Sequence, residues 1–162
     1  MIKIFNNILT ESELYNIQNI CDNLQYDESP GNNNYYYRKY IDISDNIKNT
    51  IFQIIKDELK IDYLLIDSWI NIVSKDSNKN DEFHTDINDL TFVFYLNDEY
   101  DGGNFEYIEE ITNEKKQIKP AKNQLIIMNN KLKHRVLNVI EGRRYSLVVF
   151  LKYKPKDKKS LL

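Results

Sequence analysis

A chain of 162 residues, 41% of them hydrophobic, is long enough for one globular domain with a proper core. It is too short for a catalytic domain plus a separate recognition module. A formal net charge of -3 argues against a nucleic-acid partner, since duplex binding draws on a basic face that releases counterions. The mean hydropathy of -0.60 reflects abundant Asn, Asp and Lys, and no membrane-spanning segment is expected.

Residues 2–5 read as a short strand, without the long apolar stretch of a signal peptide. Thr10 with Glu13 three residues later forms the pattern of a capping box, opening a helix to about residue 25. Within it Cys21 recurs with Leu14, Ile17 and Leu24 at helical spacing, which assigns it to the core rather than to nucleophilic chemistry. As the sole cysteine it allows no intramolecular disulfide, so a reducing, cytoplasmic setting is expected. A polar loop over residues 27–34 holds Pro30 and Gly31, and residues 35–41 read as a strand. A second amphipathic helix then carries Ile47, Ile51, Ile54, Ile55 and Leu59 on one face.

After residue 60 the period changes from helical to two. Strands are expected over residues 64–73, 91–96, 104–108, 116–119, 124–128, 134–139 and 144–152. A charged loop spans residues 75–82, and His84 to Asp86 falls on the strand after it. Gly102, Gly103 and Gly142 mark connections. Helices followed by seven or eight short strands indicate an α+β fold built around a small β-sandwich or barrel. The expected organisation is a single domain over residues 1–162, with helical support over 1–60 and a sheet core over 61–153. The long polar loops at 27–34 and 75–82 are candidates to border a site. The basic run at 152–159 reads as a solvated terminus.

Only two histidines exist, His84 and His134. In a strand, residues i and i+2 share a face, so His84 and Asp86 can reach one metal while Thr85 points away. His134 begins a distant strand that a rolled sheet could bring opposite. Two imidazoles and one carboxylate leave coordination positions open, as non-haem Fe(II) oxygenases require. An HxD tripeptide alone is weak evidence, and both histidines could be ordinary surface or core residues.

The surrounding text is more specific. It runs His84-Thr85-Asp86, then Leu90-Thr91-Phe92-Val93-Phe94-Tyr95-Leu96-Asn97, then Asp101-Gly102-Gly103-Asn104-Phe105. Pro120 to Met128, His134-Arg135-Val136 and Gly142-Arg143-Arg144-Tyr145-Ser146-Leu147 follow. In order and spacing, residues 81–150 resemble the iron- and 2-oxoglutarate-dependent dioxygenases, in the prolyl and lysyl hydroxylase-like branch. The resemblance implies a double-stranded β-helix (jelly-roll, cupin-like) core with Fe(II) held by His84, Asp86 and His134. It further implies that 2-oxoglutarate, the cosubstrate beside dioxygen, chelates the iron while its far carboxylate meets a cation on the last long strand. Guanidinium suits that role because its planar fork binds carboxylate bidentately and stays charged when buried.

The pleat chooses between the two arginines. Arg144, Ser146, Val148 and Phe150 share one face; Arg143, Tyr145, Leu147, Val149 and Leu151 share the other. Arg144 and Ser146 pair a cation with a hydroxyl and match the family's Gly-x-Arg spacing, leaving Arg143 at the rim unless a bulge reverses the faces. Tyr95 matches a family tyrosine that hydrogen-bonds the same carboxylate, although with twelve tyrosines a core role is also open. One departure is clear: Ile72, Val73 and Ser74 stand where the family often has a tyrosine before the HxD loop. Trp69 reads as core.

The implied activity is hydroxylation of an unactivated C–H bond, and the presence of Asp86 favours it over halogenation. A prolyl or lysyl side chain of a protein or peptide leads as substrate. A free amino acid or other small metabolite is the alternative, as is a non-catalytic, metal-binding jelly-roll. Oligomeric state is left open.

Overall fold

Residues 1–24, 37–60, 62–75 and 82–154 are described by a computed structural model. The loop at 27–34, the interior of 75–82 and the basic run beyond residue 154 lie outside the described residues. Strand β1 (Ile2–Asn6) precedes helix α1 (Glu11–Asn23). Thr10 and Glu13 form the capping box in full, satisfying two backbone donors that a helix start leaves bare. Strand β2 (Tyr37–Tyr40) leads to helix α2 (Asp45–Ile54), capped by Ser44.

The second helix departs from the expectation of one regular element. It passes into a π-helical turn, Ile55–Leu59, closed by the Lys60 amide donating to the Ile55 carbonyl with Lys60 left-handed (φ 54°). The wider turn keeps Ile47, Ile51 and Ile55 buried, and Leu59 only packs against their edge.

Eight strands follow among the described residues: β3 (Tyr63–Ser74), β4 (Leu90–Tyr95), β5 (Tyr100–Gly102), β6 (Phe105–Ile108), β7 (Lys115–Ile118), β8 (Gln124–Asn129), β9 (His134–Val136) and β10 (Val139–Tyr153). The main sheet is antiparallel in the order β1-β8-β4-β10-β3-β2, with β5 also paired to β10. A small sheet, β7-β6-β9, stands apart from it. Three expectations need correction. First, only His84 makes a β-bridge, and Asp86 is not in a strand. Second, residues 134–139 are split, because β10 starts at Val139. Third, Gly142 lies inside β10 rather than at a connection. Its φ of +78° follows a register shift between Val139 and Glu141, and a Cβ there would lie 2.6 Å from the Glu99 carbonyl oxygen.

The main sheet is apolar on both faces, which explains why every residue of β4 is buried and its sequence does not alternate. Phe92, Phe94, Leu147, Val149, Ile70 and Ile72 pack against Leu14 and Ile17 of α1 and Ile47 and Ile51 of α2. Val93, Tyr95, Val148 and Phe150, on the opposite face, pack with Phe105, Met128 and Leu132 towards the small sheet. The helices therefore back the sheet, leaving its other face to form a pocket. Cys21 sits in the helix-side core at 2% exposure, and burial, aided by Asp22, pushes its thiol up to about 12. It stays protonated and inert: we expect no alkylation by iodoacetamide of the folded protein at neutral pH, and reaction only after denaturation, read by mass spectrometry.

Candidate active site

The two histidines meet through backbone geometry. The His84 amide donates to the His134 carbonyl (3.0 Å) and the His134 amide to the His84 carbonyl (2.9 Å). A reciprocal pair of this kind sets two residues directly opposite on an antiparallel ladder, with both side chains on one face. The imidazole centroids are 4.5 Å apart. Asp86 reaches them from beyond the bridge, its Oδ1 lying 3.9 Å from His134 Nε2. One ligand atom from each of the three residues lies within 4.8 Å of the others, a spacing one divalent ion could bridge.

The surroundings orient these atoms. His84 Nδ1 lies 3.1 Å from the Glu82 carbonyl oxygen and His134 Nδ1 3.0 Å from that of Leu132. A carbonyl can only accept, so these contacts place the proton on Nδ1 and the lone pair on Nε2, the atom available to a metal. Thr91 on β4 donates its hydroxyl to Asp86 Oδ2, leaving Oδ1 to face the histidines. We expect Thr91→Val to weaken divalent-metal binding by about 10–100-fold without unfolding the chain, checked by metal titration beside circular dichroism. Exposure is graded: His134 is buried, Asp86 half-buried and His84 open to solvent.

From this cluster a cavity of about 120 Å³ runs into the space between the sheets. Its walls include Val93, Phe105, Met128, Val148 and Phe150, and Tyr95, Arg144 and Ser146 also line it. The register explains the grouping. Ser146 on β10 lies opposite Tyr95 on β4 and Asn71 on β3, so the three form one cross-strand row, with Arg144 two residues further along. The register shift between Phe150 and Leu151 lies beyond this stretch and does not disturb its faces.

Arg144 is 3% exposed. One terminal nitrogen donates to the Gly103 carbonyl (3.0 Å), and the guanidinium sits 5.8 Å from the Tyr95 ring centroid. Its Nε is buried without a hydrogen-bond partner. Gly103 permits this fit: at φ +64° it has the left-handed geometry glycine tolerates, and a Cβ would crowd Val139, Tyr100 and Arg144. A buried cation facing a cavity, with no carboxylate bonded to it among the described residues, has the charge and the free donor to accept an anion there. Tyr95 can add a donor, because burial raises its phenol pKa against the opposing effect of Arg144 and keeps its proton on.

Arg143 faces elsewhere. It is exposed and lines a separate polar cavity of about 360 Å³ with Gln18, Asp22 and Tyr145 on the helix side. Thr91 and Asn71 also line the cavity, beyond the residues expected from the sequence. Thr91 is the one aliphatic polar residue of an otherwise apolar β4, which was an available signal, whereas Asn71 shares β3 with Asp67, Ser68 and Ser74 and does not stand out in the sequence.

Residues 73–152 match the model of the 2OG-Fe(II) oxygenase superfamily. No curated protein sequence matches the chain. Among solved structures, a Pseudomonas putida prolyl-4-hydroxylase is similar in fold with a TM-score of 0.70 at 14% identity, covering 95% of this chain and 93% of that one. HygX from Streptomyces hygroscopicus, with nickel, 2-oxoglutarate and hygromycin B bound, gives a TM-score of 0.71 at 11% identity, covering 94% and 83%. A Trichoplax adhaerens prolyl hydroxylase in complex with a hypoxia inducible factor peptide fragment gives 0.67 at 14% identity, covering 94% and 83%. These likenesses establish the fold, two antiparallel sheets with a double-stranded β-helix core. The sequence match spans just under half of the chain, the part that carries both histidines, the aspartate and the buried arginine, and with the shared fold it places the chain in the 2OG-Fe(II) oxygenase superfamily, whose members are iron- and 2-oxoglutarate-dependent oxygenases.

Proposed function

We propose that this single-domain chain, with helical support over residues 1–60 and its catalytic core over 61–153, hydroxylates a prolyl or lysyl side chain of a protein or peptide. In this reading His84, Asp86 and His134 hold Fe(II), and Arg144, Ser146 and Tyr95 take the far carboxylate of 2-oxoglutarate. The observation that carries it is the buried Arg144 guanidinium, which has no carboxylate bonded to it among the described residues and faces the same cavity as the His-Asp-His cluster. A structural metal would need no anion receptor beside it, which disfavours a non-catalytic jelly-roll.

When bound, iron with 2-oxoglutarate and dioxygen supplies the oxidation of an unactivated C–H bond. The chain supplies position and environment. Arg144 neutralises and orients the cosubstrate's far end, Ser146 and Tyr95 add neutral donors, and Val93, Met128, Val148 and Phe150 keep the pocket dry. Thr91 holds Asp86 in place as the third ligand. Asp86 would also take the coordination position that a halide needs, which favours hydroxylation.

The peptide reading draws support from similarly folded prolyl hydroxylases, one of them in complex with a peptide. The small-metabolite reading draws support from the hygromycin B complex of HygX. Incubating the Fe(II) protein with 2-oxoglutarate, air and either host peptides or host metabolites separates them by mass spectrometry. A one-oxygen mass gain on a prolyl or lysyl peptide supports the proposal, and a gain confined to a small molecule replaces it. The lone buried cysteine suits a reducing, cytoplasmic setting. Among the described residues no helix is long and apolar enough to cross a membrane.

A further inference from the structure

We infer that Asn71 is a further positioning residue for the cosubstrate's far carboxylate, an inference that rests on the assignment of Arg144 as its anchor. Asn71 lies on β3 opposite Ser146, in the row that continues to Tyr95 on β4, and it lines the cavity. The alternation of β3 sets its face. Ile70 and Ile72 enter the helix-side core, whereas Trp69, Asn71 and Val73 share the other face, with Asn71 the polar member between two large apolar ones.

Its Oδ1 is buried and accepts no hydrogen bond, and the same holds of donation by Arg144 Nε. Arg144 pairs with Val73 and Ser146 with Asn71, so Asn71 and Arg144 are diagonal neighbours on adjacent strands. A carboxylate entering the cavity can accept from the unpaired Arg144 Nε but cannot donate to Asn71 Oδ1, so Asn71 joins the network through its Nδ2 donors. A carboxamide suits the task. It can accept from a guanidinium at Oδ1 while donating from Nδ2 to a carboxylate, and rotation about χ2 exchanges the two ends at little cost. Asn71 thus adds a neutral donor from the third strand of the row, opposite the side where Tyr95 stands.

Anaerobic titration of the metal-loaded protein with 2-oxoglutarate tests this, with pyruvate as a control. Pyruvate offers the same 2-oxo acid to the metal but lacks the far carboxylate. Asn71→Ala should raise the Kd for 2-oxoglutarate about tenfold, and Asn71→Asp, which removes the donors and adds a like charge, about a hundredfold. Both variants should bind metal and pyruvate as the unaltered protein does, within about twofold, which a general structural defect would not allow. The inference is overturned if both variants keep the Kd for 2-oxoglutarate within about threefold, or if pyruvate binding weakens in parallel. Failure of the unaltered protein to bind 2-oxoglutarate at all would instead overturn the assignment of Arg144 on which the inference rests.

Discussion

Arg144→Ala is expected to raise the apparent KM for 2-oxoglutarate by about thirtyfold or more. Losing a charge-assisted contact in a buried pocket costs about 2–5 kcal/mol, because the partner carboxylate stays desolvated and unpaired. Arg144 meets the conditions for that cost: it is 3% exposed, held by the Gly103 carbonyl, and faces the cavity. Arg143→Ala should change the same constant by less than about threefold, since its exposed side chain lies on the helix side and such charges contribute roughly 0–1 kcal/mol. Ser146→Ala should fall between them, losing one hydrogen bond and no charge. Steady-state kinetics on the three variants checks the order. A large effect at Arg143 with none at Arg144 would mean that the β10 faces are reversed.

The cluster of His84, Asp86 and His134 carries the other large effect. Replacing His84, Asp86 or His134 by alanine should abolish iron binding and 2-oxoglutarate turnover, because a three-ligand site that loses one member keeps neither affinity nor geometry. The fold should persist. The sheet core is built from residues such as Phe92, Leu125, Leu147 and Val149, none of which touches the cluster's role. Metal analysis of the purified variants with circular dichroism separates the two effects. Full turnover by two of the three variants would remove the site assignment.

Much of this arrangement was legible in the sequence because local signals and tertiary demands agree. Thr10 and Glu13 announced α1, and the isoleucine spacing announced the face of α2. Both histidines fell at motif positions, so no other histidine competed for the role. The pleat of β10 was readable because its apolar residues alternate between two cores, and the nearest register shifts fall outside Arg143 to Phe150.

What stayed hidden depends on pairing between distant strands. Strand β5 is three residues long and is held by β10 around the Gly142 bulge, which gives it no periodic signature of its own. The backbone beyond His84 leaves the ladder after one bridge, and Thr91 rather than strand geometry brings Asp86 into line. A strand pattern alone could not anticipate that. Asn71 is one of several polar residues on β3, and only its alignment with Ser146 and Tyr95 shows that it faces the pocket.

One cavity is proposed to bind metal beside His134 and a dicarboxylate beside Arg144. The most direct test is anaerobic addition of 2-oxoglutarate to the Fe(II)-loaded protein, followed by visible absorption. A metal-to-ligand charge-transfer band that saturates at one equivalent per chain is expected. The band should be lost in His134→Ala and shifted to much higher ligand concentration in Arg144→Ala. Iron binding with no such band in the unaltered protein, or a band whose concentration dependence ignores Arg144, would contradict the proposal.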